Sequence, residues 1–576
     1  MADPIKHITI VGGGTAGWFT ANMLSVFFGL QKNHPANRMR ITLIESPNIP
    51  TVGVGEATVP SMSLSLQQTG ISETEFFKTC NASFKLGVDF AGWNVDAKGK
   101  PFSYINPFNT GHRVGGIDPG YYYGRFGGSG ASFVQTISPA QDLGMMRKGP
   151  RPLGSKPFTE PVNYAYHLDA GLFAKMMQGI SVARGVEHVL DDMVDVERAE
   201  DGSIAAINLK ETGRHEVELV IDCTGFKGLL INGALDEPFI SYDKYLANDR
   251  AMAVQIPHPE QTANGPKFIE PVTRSTALGA GWSWRVPLFN RIGTGYVYSS
   301  AHRSDDEARD EFLKHLGDAG KNAEPRVIPM RVGRTRNSWV KNCIAIGLSG
   351  GFIEPLESTA IYMIEMAVRW LIAYFPDNSY PDSLRKRYNE VASGLYDEVR
   401  DFICLHYALG NRTDSQYWID AREELEVPDS LAENLEVWKH AMPVMTDLKS
   451  QHLFSPEVYT AVLQGKRVYQ MRDDWNAGLS LNLNRDMWRK HVSGQRHKIS
   501  QFVKAMPDHV ALLRQIRGET PAQEAPSPLM GNMQGLPGQQ APLQQGSVPL
   551  PGLGTRRTPV IKTPIAPADA GDGNLL

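Results

Sequence analysis

The chain has 576 residues, with 58 basic and 62 acidic side chains and a formal net charge of −4. This near balance argues against nucleic acid or an anionic membrane surface as the main partner. Hydrophobic residues make up 41% of the chain, which is enough for a sizeable core and excludes wholesale disorder. The four cysteines lie far apart without a CxxC pair, which excludes a disulfide scaffold and a thiolate zinc site. No apolar run approaches 18 residues and no metal-ligand spacing appears, so we expect a cytoplasmic protein without a membrane span or a metal.

Three zones succeed one another along the chain. Up to about residue 350, short β-branched runs alternate with glycine turns and helical patterns, which is typical of an α/β sheet. From about 360 to 518, apolar residues recur at helical spacing. The last 56 residues hold 10 Pro and 8 Gly, a composition that cannot bury enough apolar area to offset chain entropy. The sequence therefore predicts an α/β body over 1–359, a mostly helical region over 360–518 and a disordered tail over 519–576.

The first chemical signal is the glycine turn Gly12-x-Gly14-x-x-Gly17, which follows a predicted strand and precedes a helical pattern. In such a turn the first glycine permits the tight bend, the second lets the backbone approach a pyrophosphate, and the third packs the helix on the strand. The helix N-terminus then offers N–H groups and a positive dipole to the phosphates. Glu45 ends the next predicted strand and would accept a hydrogen bond from a ribose hydroxyl, although its distance from the turn exceeds the usual ~20 residues.

The choice between FAD and NAD depends on the segments around this turn. The segment GVGEATVP (53–60) offers small residues and Glu56 where a flexible backbone strip can lie along an isoalloxazine. A second fingerprint for a nicotinamide nucleotide is absent from the sequence. These features favour FAD, with reduced flavin or electrons supplied by another protein.

Five ordered motifs make the chain resemble the flavin-dependent tryptophan halogenases. They are VGGGTAGW (11–18), TVGVGEAT (51–58), ASFKLGVDF (82–90), GWSWRVP (281–287) and GFIEPLESTA (351–360). The resemblance implies a Rossmann-type FAD-binding domain with mixed sheets, like that of flavin monooxygenases, and a C-terminal, mostly helical region that caps the substrate. It also implies that a separate NAD(P)H flavin reductase supplies reduced FAD. The flavin then reacts with O2 to give a hydroperoxide that oxidises chloride or bromide to hypohalous acid.

The resemblance assigns chemistry to individual residues. Lys85 matches the catalytic lysine, which either hydrogen-bonds the hypohalous acid as an ammonium or becomes a haloamine as a neutral amine. Glu357 matches the carboxylate that stabilises the cationic intermediate and accepts its proton, and Ser358 could bridge the two. Halide is expected near the backbone N–H groups of Thr359 and Ala360, where the family has Gly at the second position. If that position needs a positive φ, Ala would be strained.

The remaining implied sites surround the cofactor and the substrate. Trp282 and Trp284 alternate along a predicted strand, so both point to one face, and with Pro287 they are implied to form the tunnel on the flavin side. Asn106 and Phe108 match the substrate pocket, with Asn where the family has His. An indole without the amino-acid head, another electron-rich arene or a larger molecule that bears such a ring is therefore expected rather than free tryptophan. Cofactor contacts are implied for Gly12, Gly14, Thr15, Ala16, Gly17, Glu45, Glu56, Ala57, Met193, Leu348 and Ile361.

Two alternatives remain open. One is an FAD-dependent aromatic monooxygenase, and the other is a non-catalytic flavin-binding assembly protein that presents its Pro-rich tail to a partner. Lys85, Glu357 and the two tryptophans favour the halogenase over both. A homodimer is possible in each case.

Overall fold

The computed structural model describes residues 3–49, 55–108, 111, 113–262, 265–449, 453–469 and 482–519. The tail predicted over 519–576 lies outside the described residues except for Glu519. The four cysteines are buried and unpaired. None of the described helices is long and apolar enough to span a membrane.

A six-stranded sheet holds the glycine turn at its centre. Five neighbouring strands are parallel and a short sixth is antiparallel at one edge. Their spatial order is Trp339–Val340, Cys343–Ala345, Leu219–Asp222, His7–Val11, Arg40–Glu45 and Glu187–Leu190. The strand His7–Val11 is buried along its whole length, as the continuous apolar run predicts for a sheet covered on both faces. The turn after it leads directly into the helix Thr15–Phe27.

A seven-stranded sheet, mostly antiparallel, carries the two predicted tunnel tryptophans. Its spatial order is Arg326–Pro329, Arg250–Ile256, Ile292–Tyr298, Gly281–Pro287, Thr273–Leu278, Gly87–Val95 and Pro101–Pro107. A small sheet of Gly55–Ala57, Ala165–Asp169 and Ser83–Lys85 packs against it and carries Glu56 and Lys85. The two sheets therefore bring residues of the second, third and fourth sequence motifs into one region.

Three smaller sheets complete the strands. One consists of Met193–Arg198, Ile204–Leu209 and Gly213–Glu216, another of Phe239–Ser241, Gly333–Thr335 and Gly351–Phe352, and the last of Gln261–Thr262 and Gly265–Pro266. The mixed α/β fold with a Rossmann-type sheet is the one that the sequence predicts.

The described α-helices divide between the two halves of the chain. Before residue 360 they are Thr15–Phe27, Ser61–Gln68, Glu73–Thr79, Pro119–Phe126, Phe133–Ile137, Ala140–Met145, Ala170–Arg184 and Asp305–Leu316. After it they are Ala360–Ala373, Asp382–Ala408, Gln416–Glu423, Asp429–Trp438, Pro456–Gly465, Arg485–Ala505 and His509–Ile516. The helical character of 360–518 is thus confirmed for the described residues. The last two of these helices are separate elements, because Pro507 between them cannot continue the first.

The packing of the helices crosses the boundary read from the sequence. Ala360–Ala373 packs on Thr15–Phe27, beside the six-stranded sheet. In the other direction, Pro119–Phe126 and Phe133–Ile137 pack against the C-terminal helices Pro456–Gly465 and Arg485–Ala505. The helical layer next to the strand Pro101–Pro107 is therefore assembled from both halves of the chain.

Candidate active site

The three glycines of the turn are needed for three different reasons. Gly12 has a φ of +116°, and a Cβ there would lie 2.2 Å from the carbonyl oxygen of Cys223. A Cβ on Gly17 would lie 1.9 Å from the carbonyl oxygen of Gly12, so this glycine lets the helix pack on the turn. A Cβ on Gly14 would meet no atom within 4 Å. Gly14 therefore leaves open space at the N-terminus of the helix, where a pyrophosphate can approach the backbone.

A cavity of about 520 Å³ opens at this turn. Ten of the eleven implied cofactor contacts line it, namely Gly12, Gly14, Thr15, Ala16, Glu45, Glu56, Ala57, Met193, Leu348 and Ile361. Gly17 does not line the cavity, since it packs against Gly12 instead. The backbone at the helix N-terminus, a carboxylate at the end of the second strand and apolar walls beyond them suit the phosphates, ribose and ring system of FAD.

Two carboxyl groups in the cavity differ in their surroundings. Glu45 Oε2 accepts from Trp18 Nε1 at 3.3 Å and lies 3.0 Å from His188 Nε2, which fixes this carboxylate at the end of its strand. Glu56 is partly exposed in the cavity wall, and desolvation by the surrounding protein raises the pKa of its carboxyl to about 7. Near neutral pH a fraction of Glu56 is therefore protonated and able to donate a hydrogen bond into the cavity.

The two tryptophans of the strand Gly281–Pro287 both line the cavity, as their alternation predicts. Their ring centroids are 6.4 Å apart at an interplanar angle of 62°. Trp282 Nε1 donates to Glu354 Oε2 at 3.0 Å, which holds the indole ring against the wall. Pro287, the third predicted member, does not line the cavity, and its carbonyl oxygen accepts a hydrogen bond from Ser83. Val286 takes its place on the wall, because residues 282, 284 and 286 share one face of the strand and Pro287 lies on the other.

The segment 355–360 separates this cavity from a second group of residues. Ser358 has a φ of +61°, so the chain turns sharply there. Ser358 and Ala360 line the cavity, whereas Glu357 makes its contacts outside the cavity lining. The bridge from Ser358 to Lys85 and Glu357 that the sequence suggests is wrong for this structure. The left-handed turn places the Ser358 hydroxyl on the cavity side, without a hydrogen-bond partner among the described residues.

The two residues expected at the halide begin the helix Ala360–Ala373. Thr359 is its N-cap residue, with a φ of −89°, and Ala360 has a helical, negative φ. Alanine at this position is therefore unstrained, and the left-handed residue is Ser358 instead. In the described part of the chain, the N–H groups of Thr359 and Ala360 have no acceptor, so both are available to an anion at the positive end of the helix.

Lys85 is fully buried at the end of the strand Ser83–Lys85. Its Nζ donates to the carbonyl oxygen of Thr58 at 3.0 Å and lies 5.1 Å from the centroid of the Phe108 ring. Burial lowers the pKa of this amine to about 7, and the charge of Glu357 opposes part of that shift. Near neutral pH Lys85 is thus present both as an ammonium and as a neutral amine.

Glu357 is buried beside the strand Pro101–Pro107. Asn106 Nδ2 donates to Glu357 Oε1 at 3.1 Å, and His406 Nε2 lies 3.1 Å from the same oxygen. Because Asn106 contacts Glu357 and Phe108 contacts Lys85, the end of this strand brings the two predicted catalytic residues to one place. Asn106 and Phe108, which the resemblance assigns to the substrate pocket, thus each contact one of these two residues.

Sequence reasoning missed three buried residues next to this group: Tyr104, His406 and Lys466. Tyr104 Oη lies 3.0 Å from His406 Nδ1, and Lys466 Nζ donates to Asn94 Oδ1 at 2.8 Å. Burial lowers the pKa of the Lys466 amine to about 7. The only available signal is a histidine on the apolar face of the long helix Asp382–Ala408, which is more often a packed core residue than a functional one.

Comparison with known proteins places the chain in one family. The family model for tryptophan halogenases matches residues 7–477. The 7-chloro-L-tryptophan 6-halogenase KtzR of Kutzneria sp. (strain 744) is 36% identical over 538 residues, which cover 89% of this chain and 99% of that enzyme.

Two solved structures agree with the fold. The tryptophan C-6 flavin-dependent halogenase Tar14 from taromycin biosynthesis has a TM-score of 0.81 at 35% identity, covering 89% of this chain and 100% of that one. The tryptophan halogenase from Shewanella frigidimarina NCIMB 400 has a TM-score of 0.82 at 33% identity, covering 89% and 98%. With the family model matching most of its length and relatives above 30% identity along nearly their whole chains, this protein belongs to the flavin-dependent tryptophan halogenase family.

Proposed function

We propose that the protein is an FAD-dependent halogenase of the cytoplasm that attaches chloride or bromide to an indole-type or other electron-rich arene. Reduced FAD, delivered by a separate NAD(P)H flavin reductase, and O2 together supply the two-electron oxidant that converts halide to hypohalous acid. The observation that carries this proposal is the pairing of two buried groups, Lys85 and Glu357, outside the lining of the cofactor cavity. In this proposal the oxidised halogen species moves past the segment 355–360 to Lys85, and the arene binds outside the cofactor cavity.

Lys85 is suited to activating the hypohalous acid. One hydrogen of its ammonium is used by the carbonyl oxygen of Thr58, which leaves two hydrogens to donate. When the arene attacks the halogen, the halogen–oxygen bond breaks and the oxygen leaves. Donation of a proton from Lys85 lets that oxygen leave as water rather than as hydroxide. The lowered pKa of Lys85 favours this transfer.

Glu357 is suited to finishing the substitution. The halogenated arene carries one positive charge and must lose the proton on the carbon that received the halogen. Glu357 Oε1 accepts from Asn106 and faces His406, so Oε2 is the oxygen with room to accept that proton. A buried carboxylate also stabilises the cation before the proton leaves.

Asn106 supports an arene that carries its own hydrogen-bond donor. Its amide nitrogen donates to the Glu357 carboxylate, which accepts only, so the orientation of the amide is fixed. The amide oxygen is then buried and has no partner in the described part of the chain. A ring N–H or O–H satisfies this oxygen, and leaving it unpaired costs about 1–3 kcal/mol. Indole carries such a donor, as does the tryptophan on which the named relatives act.

The test is halide-dependent product formation by the purified chain with FAD, NADH, a flavin reductase, air and bromide or chloride. We expect mass spectrometry to detect monohalogenated indole. N-methylindole, which lacks the N–H, should react about tenfold more slowly because Asn106 Oδ1 stays unpaired. A hydroxylated product without halogen would support the aromatic monooxygenase instead. FAD binding without any product would support the non-catalytic flavin-binding protein.

The quaternary structure is a separate prediction. We propose a homodimer as one arrangement of the enzyme, and light scattering of the purified full-length chain tests it. A mass of one chain across the working concentration range would exclude the dimer under those conditions.

A further inference from the structure

Three buried polar side chains form a line that ends at the proposed proton acceptor. Tyr104 Oη lies 3.0 Å from His406 Nδ1, and His406 Nε2 lies 3.1 Å from Glu357 Oε1. His406 is fully buried and Glu357 is 4% exposed. The Nε2 atom is not aligned for an ideal hydrogen bond and has no other partner among the described residues. Catalytic hydrogen bonds are often poorly aligned before the substrate binds and tighten in the complex.

Aromatic packing holds the imidazole ring of His406 in one orientation. The Phe90 ring stacks on it at a centroid distance of 4.4 Å and an interplanar angle of 13°. The Phe402 ring meets it edge-on at 5.3 Å. The Tyr104 ring also stacks on Phe90, at 4.9 Å and 3°. The two ring nitrogens are therefore held towards Tyr104 and Glu357 and cannot exchange places without repacking the aromatic group.

The surroundings also determine which nitrogen carries the proton. Burial, and after it the charge of Glu357, raises the pKa of Tyr104, so its hydroxyl stays protonated. The Glu357 carboxylate that faces Nε2 can only accept, so Nδ1 is the nitrogen that accepts, from the Tyr104 hydroxyl. Burial lowers the pKa of His406, with Glu357 opposing the shift and Lys466 adding to it. A neutral imidazole that accepts at Nδ1 carries its hydrogen on Nε2. The hydrogen therefore faces Glu357.

We propose that His406, with its tautomer set by Tyr104, is a positioning residue for Glu357. The Nε2–H of His406 and the Nδ2–H of Asn106 together hold Oε1, and the carboxylate then presents Oε2 to the arene. His406 itself neither touches the arene nor takes its proton. This assignment rests on the proposed function, because it gives Glu357 the role of proton acceptor.

The decisive comparison is between His406→Gln and His406→Leu. The Gln amide nitrogen can reach the place of Nε2 and donate to Oε1, whereas Leu fills a similar volume without a donor. We expect His406→Leu to lower kcat for indole bromination at least about tenfold, with KM for indole within about threefold of wild type. His406→Gln should keep kcat within about threefold. Equal losses in the two variants, or wild-type kcat in His406→Leu, would overturn the assignment.

An isotope measurement separates positioning from general loosening of the site. With perdeuterated indole, we expect little primary isotope effect on kcat in wild type and a clear one in His406→Leu, because loss of the ring proton has become slow. A lower kcat without an isotope effect would assign His406 a merely structural role. If His406→Leu does not fold, Tyr104→Phe serves instead. Tyr104→Phe should lower kcat several-fold. In the double variant His406→Gln/Tyr104→Phe, kcat should be no lower than in His406→Gln alone, because a Gln amide has no tautomer for Tyr104 to set.

A scavenger assay distinguishes failure of this inference from failure of the proposed function. A small, freely diffusing phenol added with bromide reports hypobromous acid that forms and escapes. We expect the wild type and both His406 variants to brominate this scavenger at equal rates, since the FAD cavity is untouched. No scavenger bromination and no bromoindole in wild type would contradict the proposed function itself. Scavenger bromination with indole kinetics that do not distinguish Leu from Gln would contradict only the role of His406.

Discussion

The glycine turn and the group around Glu357 reach their geometry by opposite means. The turn places backbone against a cavity by using the motif glycines Gly12, Gly14 and Gly17, and each of these three is explained by one clash or one open space. The group around Glu357 joins side chains from a strand near residue 105, a turn near 357 and a helix near 406. The first site is local in sequence, while the second exists only after the two halves of the chain have packed.

This difference decides how each region responds to substitution. At the glycine turn, the Cβ that a substitution adds either meets backbone atoms or points into open space. A substitution there should therefore affect either the stability of the fold or the binding of the cofactor. Around Glu357, one carboxylate oxygen faces both Asn106 and His406, so one substitution alters the charge, the orientation and the hydration of several groups. The predictions below test the contrast, beginning with the largest effect.

Replacement of the buried amine should abolish the chemistry and spare the cofactor. We expect Lys85→Met to lower indole halogenation more than about 100-fold, because the hypohalous acid loses its proton donor. FAD affinity should stay within about twofold, since Lys85 does not line the cavity. Product mass spectrometry and fluorescence titration of FAD measure the two quantities. Lys466→Met is the matched control, a second buried lysine with a lowered pKa, and should retain far more activity. Halogenation by Lys85→Met at the wild-type rate would contradict its catalytic role.

Two glycine variants should separate folding from binding. In Gly17→Ala the new Cβ lies 1.9 Å from the Gly12 carbonyl oxygen, so we expect the free energy of unfolding to fall by about 2–3 kcal/mol. Gly14→Ala should change that free energy by less than about 0.5 kcal/mol, yet weaken FAD binding about tenfold, because its methyl group occupies the approach of the pyrophosphate. Urea unfolding of the FAD-free protein and FAD titration test both. Equal losses of unfolding free energy in the two variants would contradict the assignment of Gly14 to cofactor binding rather than to folding.

The pH dependence of halogenation should report Lys85. The pKa of its amine in the folded protein is lowered to about 7, so the ammonium form is lost as the pH rises through 7. If the ammonium is the active form, kcat for halogenation falls several-fold between about pH 6 and about pH 8, on either side of that pKa. The FAD oxidation rate without arene serves as the control. A kcat that rises through this range would contradict the ammonium role and support a haloamine on the neutral lysine.

The smallest effect on stability and halide binding is expected from substitution of Ala360, one of the two residues expected at the halide. Ala360 has a helical φ, so Ala360→Gly relieves no strain and should lower the free energy of unfolding by about 0.5–1 kcal/mol. The bromide concentration that gives half-maximal rate should change by less than about twofold, since the backbone N–H groups stay in place. Urea unfolding and a bromide titration measure these effects. A large gain in bromide affinity would indicate that the methyl group of Ala360 narrows the site.

Prediction from sequence succeeded where a motif is built from neighbouring residues. The strands before and after the glycine turn and the shared face of Trp282 and Trp284 follow from local spacing. The two departures have different causes. Ser358 lies at a left-handed turn that the residue types around it do not reveal. Pro287 lies on the opposite face of its strand from Trp282 and Trp284, so Val286 lines the cavity instead.

His406 and Tyr104 were missed for another physical reason. Tyr104 and His406 are separated by 302 positions in the chain, and neither belongs to a motif with a fixed spacing. Their proximity results from packing of the helix Asp382–Ala408 against the strand Pro101–Pro107, stabilised by the aromatic stack on Phe90. A pattern of apolar residues predicts that such a helix is buried, but it does not say which strand the helix meets.

The left-handed residue at position 358 marks the point where the chain passes between two groups of residues. Glu357 before it contacts Asn106 and His406, whereas Ser358 itself lines the FAD cavity. We expect a deletion or insertion between 355 and 360 to disturb both groups at once, so substrate range is expected to change through the strand Pro101–Pro107 and the helix Asp382–Ala408 instead.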